Sequence, residues 1–121
     1  MSVVDATTND GYEPAQFAIK DAVAGNQHRL FVSGELDLAT APRLEEAVVR
    51  ICRDPTSAIT IDLTGVTFMD SSGLHAVLNA QQLCREHRRD FLLAPPEGQA
   101  KRLFEVTGVL DELPLVARRP G

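Results

Sequence analysis

The chain of 121 residues has no tryptophan, one tyrosine, three histidines and two cysteines. Cys52 and Cys84 fit no Cys-x-x-Cys or Cys/His ligand pattern, which argues against a zinc site or a thioredoxin-like motif. Both fall on apolar stripes of expected helices, so they read as reduced core residues, with a regulatory disulfide as the sharper alternative. No run reaches the ~18 apolar residues of a membrane span. Met1-Ser2-Val3-Val4-Asp5 lacks the basic start and apolar segment of a secretory signal, so a cytoplasmic location is expected. A basic excess is also missing, since the formal net charge is −5. That argues against a general binder of nucleic acid or anionic membranes. The one basic cluster, Arg85, His87, Arg88 and Arg89, reads as the solvated end of a helix, where cations complement the dipole.

The catalytic signatures are missing as well. There is no Gly-x-Ser-x-Gly, no Gly-x-x-x-x-Gly-Lys-Ser and no Gly-x-Gly-x-x-Gly. His75 lies one turn beyond Ser71 and Ser72, but a serine nucleophile also needs an oxyanion hole. Asp37, Asp62 and Asp70 could be drawn as a metal cluster. Asp62, however, should face away from Ile61 and Leu63, while the other two fall in loops, so structural or solvated roles are expected. No enzyme activity, cofactor or metal is expected of this chain.

What is present is an alternation of strands and helices over one domain; two domains in this length would each lack a sufficient core. Residues 1–14 show no periodicity and read as a flexible tail. Gln16 to Ala24 and Arg29 to Ser33 read as two strands of an antiparallel hairpin turning at Gly25-Asn26. Gly34-Glu35-Leu36-Asp37 then leaves the sheet. From Thr40 the period changes: Leu44, Ala47, Val48, Ile51 and Cys52 make one helical stripe, with Pro42 tolerated in the first turn and Asp54-Pro55 ending the helix. Ile59, Ile61 and Leu63 form the next strand, interrupted by Thr64-Gly65 before Val66-Thr67-Phe68-Met69. A second helix runs from about Ser72 to His87, with Leu74, Val77, Leu78 and Cys84 on one face and Ala76, Ala80 and Leu83 beside it. Phe91-Leu92-Leu93-Ala94 is short and wholly apolar, as expected for a buried strand. A third helix, about Glu97 to Thr107, stops at Gly108. Leu113 to Val116 is expected as a last edge strand, and residues 118–121 as a fraying end. The expected fold is α/β: a four- to five-stranded, mostly parallel sheet with an N-terminal antiparallel hairpin and about three main helices.

Two turns, one holding Asp37 and one holding Asp70-Ser71-Ser72, leave the carboxyl ends of strands, the edge where open α/β sheets build their sites. Asp70 or Ser71 can cap the second helix, placing Ser72 in its first turn. An anion there is favoured by free N–H groups and the helix dipole, by ~0.3–1 kcal/mol. The stretch reads either as an ordinary N-cap or as one where Ser72 can carry a phosphate without unfolding its helix. Phosphate adds about −1.5 to −2 charge. Among Asp37 and Asp70 that charge gains no partner within the domain, so it would weaken an interface instead.

Phe68-Met69-Asp70-Ser71-Ser72-Gly73-Leu74 resembles the signature of anti-sigma factor antagonists, the bacterial members of the STAS domain superfamily. Ser33-Gly34-Glu35-Leu36-Asp37 with Thr40-Ala41, and Lys101-Arg102-Leu103-Phe104 with Thr107-Gly108-Val109, resemble two further family stretches in the right order. The likeness spans about Phe17 to Val116, and the STAS domain is expected over residues 15–117. It implies that the unphosphorylated chain binds an anti-sigma factor, often itself a serine kinase, and thereby frees a sigma factor. Phosphorylation of the residue matching Ser72 ends that binding, and a phosphatase restores it; ATP and magnesium belong to the kinase. It also implies that Asp37 lies near the acceptor and that Asp70, Ser71, Gly73 and Leu74 border the docking surface. His75 departs from the small residue common at that position and bears on partner identity. The alternative is a STAS module that binds another signalling partner or a small ligand without a phosphoswitch. Oligomeric state is left open by the sequence.

Overall fold

Apolar residues at alternate positions build the sheet, and residues at helical spacing cover one side of it. The computed structural model describes residues 17–55 and 58–108. The order is β1 (Ala18–Ala24), β2 (Gln27–Leu36), α1 (Ala41–Cys52), β3 (Ala58–Met69), α2 (Ser71–Glu86), β4 (Asp90–Ala94) and α3 (Gly98–Thr107). The four strands lie in the order β1-β2-β3-β4. β1 and β2 pair antiparallel, and β3 runs parallel to both β2 and β4. This is the expected α/β architecture. The expected tails and the strand at Leu113 to Val116 lie outside the described residues.

Buried residues from all three helices join the inner face of the sheet in one core. Ile19, Leu30, Val32, Ile59, Ile61 and Leu93 supply that face. The alternate residues point the other way: Phe31 is 41% and Leu92 36% exposed. Leu92 therefore corrects the reading of Phe91 to Ala94 as buried throughout. The helices cover one side of this strand, and Leu92 stands on the other. In α2 the buried stripe is Gly73, Leu74, Ala76, Val77, Ala80 and Cys84, while Leu78 and Leu83 are only partly buried. Ala76 and Ala80, expected beside the stripe, lie within it, and these small residues let the helix close on its neighbours.

Two strands are longer than their sequences suggest. β2 does not leave the sheet at Gly34 but pairs with β3 as far as Leu36. β3 is continuous through Thr64-Gly65. The register steps from Phe31↔Asp62 to Ser33↔Gly65, and again from Gly34↔Val66 to Glu35↔Phe68. Each step inserts one extra residue in β3, a bulge that breaks strict alternation without ending the strand. Burial along β3 follows: Ile59, Ile61 and Leu63 keep the period of two, while Val66 and Met69 come at intervals of three. The bulges bring Met69 level with Leu36, so both strands end together.

Asp62 occupies the outer face of β3, only 5% exposed. It accepts Arg29 Nη2 at 2.8 Å and the Thr64 hydroxyl and N–H at 2.6 and 2.9 Å. Burial alone would raise its pKa, but the Thr64 and Arg29 donors outweigh that and hold it below the ordinary value. Asp62 is thus a structural acid fixing the first bulge. It lies seven residues before Met69 on β3, away from the turn that follows.

Candidate functional site

The site forms where β2 and β3 end side by side. The Asp70 N–H donates to the Leu36 carbonyl at 3.4 Å, joining the turn after β3 to the turn after β2. α2 starts at once. Asp70 is its N-cap, in extended conformation, and one carboxylate oxygen accepts Ser72 N–H at 2.9 Å and Gly73 N–H at 3.2 Å. Asp70, not Ser71, is therefore the cap. Ser71 opens the helix and is exposed; Ser72 follows and is half-buried. No hydrogen bond ties down the Ser72 hydroxyl among the described residues. Asp70 takes two of the first-turn N–H groups. The helix end therefore offers an added anion less than an uncapped one would, and that anion would sit beside a carboxylate.

Gly73 packs tightly against the ends of both strands. A Cβ built there would lie 2.5 Å from the Leu36 carbonyl oxygen, 2.9 Å from Leu36 Cγ and 3.0 Å from Met69 Cγ. Only glycine lets the first turn of α2 settle this deeply. Leu74 is buried behind it, in the core beneath the helix rather than on the open surface. His75 is exposed, and helical spacing places it on the same side as Ser71 and Ser72, one turn on.

Asp37 is held by its own loop. Its carboxylate accepts the N–H groups of Ala39 and Thr40 at 3.0 and 3.2 Å. Thr40 pins the loop from the other side. Its hydroxyl accepts Asp37 N–H at 2.9 Å and donates to the Glu35 carbonyl at 2.7 Å. Thr40 was legible only as a helix start; a Thr three residues after an Asp at a strand end is the available signal for such a loop. Leu38, between them, is 76% exposed. The folded chain thus brings the Asp37 loop against the start of α2 through Leu36, with Ser71, Ser72 and His75 on the adjoining surface. Asp62, the third carboxylate of the conceivable cluster, is engaged elsewhere.

Away from this edge, Arg89 corrects the reading of the basic cluster as wholly solvated. Its Nη2 donates to the carbonyls of Cys52 and Asp54, at 3.2 Å each, closing the C-terminal end of α1. Arg85, His87 and Arg88 are exposed. Among the described residues no helix is long and apolar enough to cross a membrane.

Comparison with known proteins agrees with this geometry. The STAS domain family matches residues 22–119. The anti-sigma-B factor antagonist of Listeria monocytogenes is 37% identical over 82 residues, covering 68% of this chain and 72% of that protein. The anti-sigma-B factor antagonist of Staphylococcus aureus is 34% identical over 80 residues, covering 66% and 74%. Among solved structures, an anti-sigma factor antagonist from Mycobacterium paratuberculosis superposes with a TM-score of 0.75 at 28% identity, over 87% of this chain and 89% of that one. With a four-stranded mixed sheet and three helices among the described residues, and with these relatives, the chain belongs to the STAS domain family and is similar to the anti-sigma factor antagonists within it.

Proposed function

We propose that this chain is an anti-sigma factor antagonist controlled by phosphorylation of Ser72. The observation that carries the reading is the start of α2: a half-buried serine with an untethered hydroxyl, on a helix turn already capped by Asp70. Such a serine accepts a phosphoryl group without loss of the cap. In the unphosphorylated form, the surface around Asp37, Asp70, Ser71, Ser72 and His75 docks an anti-sigma factor and so releases a sigma factor. Gly73 and Leu74 act from below, by seating the helix.

Phosphate on Ser72 adds about −1.5 to −2 charge. The nearest fixed charge on its own helix is the Asp70 carboxylate, so the new charge gains no counter-ion from the cap. Burying it in an interface costs desolvation that the partner must offset. Binding therefore weakens. The anti-sigma factor is the serine kinase in this scheme, holding ATP and magnesium itself, and a serine phosphatase resets the cycle. The chain supplies a substrate hydroxyl and a docking surface, with no catalysis, cofactor or nucleic-acid contact of its own, and acts in the cytoplasm.

Wild-type, Ser72→Ala and Ser72→Glu chains used to isolate partners test this. The alanine form is expected to retain an anti-sigma kinase and the glutamate form to lose it. Equal recovery by both forms would contradict the switch.

A further inference from the structure

On the face of the sheet away from the helices, polar side chains converge at one end. Arg29, Thr60 and Leu92 stand level on β2, β3 and β4, and Gln27, Ala58 and Asp90 stand level two residues earlier. At this spacing both rows share a face. They line a cavity of about 730 Å³ that continues over Ala22 and Ala24 of β1. Ala58 and Thr60 are short, so the hollow lies over β3, between the longer side chains of β2 and β4. Those two strands run about 10 Å apart, which is room for one flat ring. Leu92, 36% exposed, gives the hollow an apolar wall.

The opposite wall is rich in unused donors. Arg29 donates Nε and Nη2 to Asp62 at 3.2 and 2.8 Å, and its guanidinium lies 5.4 Å from the centre of the Phe31 ring. These contacts hold the side chain in place, yet Nη1 makes no hydrogen bond among the described residues. The Gln27 amide, the Thr60 hydroxyl and the Asp90 carboxylate make none there either.

We infer that this cavity is a binding site for a small aromatic monocarboxylate. Arg29 Nη1, the Thr60 hydroxyl and the Gln27 amide donate to the carboxylate, and the Arg29 bond is charge-assisted. The ring lies over Ala58 and against Leu92. Asp90, on the far wall, repels a second negative charge and so disfavours a dicarboxylate. Because Asp62 and Phe31 already fix Arg29, binding costs little of its rotamer freedom. Asp62 also offsets part of the Arg29 charge, so the affinity belongs in the millimolar range. Two rows on three strands cover on the order of 150 Å², far below the ~800 Å² that each partner buries in a stable protein interface, so the occupant is a small molecule. Ala58 opens β3 and Met69 closes it. The cavity is therefore at the end of the sheet opposite Asp70 and Ser72, and its function is separate from docking there.

The test titrates the isotope-labelled full chain with benzoate and follows backbone amides by NMR. Saturable shifts are expected in β2, β3 and β4 around Gln27, Ala58, Thr60 and Leu92, with the amides of Ser71 to His75 unmoved. Benzyl alcohol, which keeps the ring and loses the charge, should bind about tenfold more weakly or not at all. Terephthalate should also bind more weakly than benzoate. Ala58→Leu fills the floor and should abolish the shifts. Thr60→Val, which keeps shape and strand preference, should weaken binding about threefold or more. Absence of saturation by about 20 mM benzoate, equal binding of benzyl alcohol, or unchanged binding by a folded Thr60→Val chain would overturn the inference.

Discussion

At Gly73 one missing methyl group decides how deeply α2 can sit. The Leu36 carbonyl oxygen would lie 2.5 Å from a Cβ at that position, and this oxygen also accepts the Asp70 N–H. The backbone cannot yield without disturbing the joint between the two turns. Gly73→Ala improves helix propensity by up to ~1 kcal/mol but forces this overpacking, which costs about 1–3 kcal/mol and can exceed it. The net expectation is a chain destabilised by about 1–2 kcal/mol, measured as a lower urea midpoint at unchanged slope. A neutral or stabilising effect would mean that α2 can slide outward freely. Asp70 is legible in the sequence only as one of two capping candidates, because Asp and Ser both favour the position before a helix and stand side by side here. The tight place beneath Gly73 was not legible, since Ser-Ser-Gly at a helix start looks equally compatible with an exposed turn.

At the scale of the element, β3 determines where the site lies. Its two bulges carry the strand past Thr64-Gly65 and bring Met69 level with Leu36. The sequence showed broken alternation there, which reads as an interruption because a bulge and a strand end share the same local signal. Cross-strand pairing, which no single segment reveals, settles the difference. Asp62 fixes the first bulge through Thr64 and Arg29, and its pKa lies below the ordinary 3.8. A group with a lowered folded pKa contributes stability above its unfolded pKa and loses it as pH falls through the folded value. The Asp62 contribution should therefore be complete near neutrality and decline below about pH 4. Urea unfolding of wild type and Asp62→Asn at several pH values is the check. The gap between the two stabilities should be about 1–3 kcal/mol at pH 7 and shrink on acidification. A gap independent of pH would show that the carboxylate charge plays no part.

Across the whole molecule, the order of elements and the mostly parallel sheet followed from periodicity, because each helix buries one stripe and each strand alternates. Which face of the sheet the described helices leave uncovered did not follow. Leu92 is apolar enough for either face, and only the placement of all three helices on the other side leaves it exposed. The candidate site was legible as a set of residues, Asp37, Asp70, Ser71 and Ser72, but not as a geometry. Its arrangement depends on Thr40 pinning the first loop and on Leu36 joining it to the second. These contacts are made within the chain without Ser72 side-chain participation, so adding charge at Ser72 should alter binding more than folding.

The most direct test of the phosphoswitch is to incubate the full chain with its anti-sigma factor, ATP and magnesium, then locate the phosphate by tandem mass spectrometry and measure the affinity of the modified chain. The expected result is a single phosphate on Ser72 and at least tenfold weaker binding, about 1.4 kcal/mol. Phosphate on Ser71 instead, or a Ser72-phosphorylated chain that binds as tightly as the unmodified one, would contradict it.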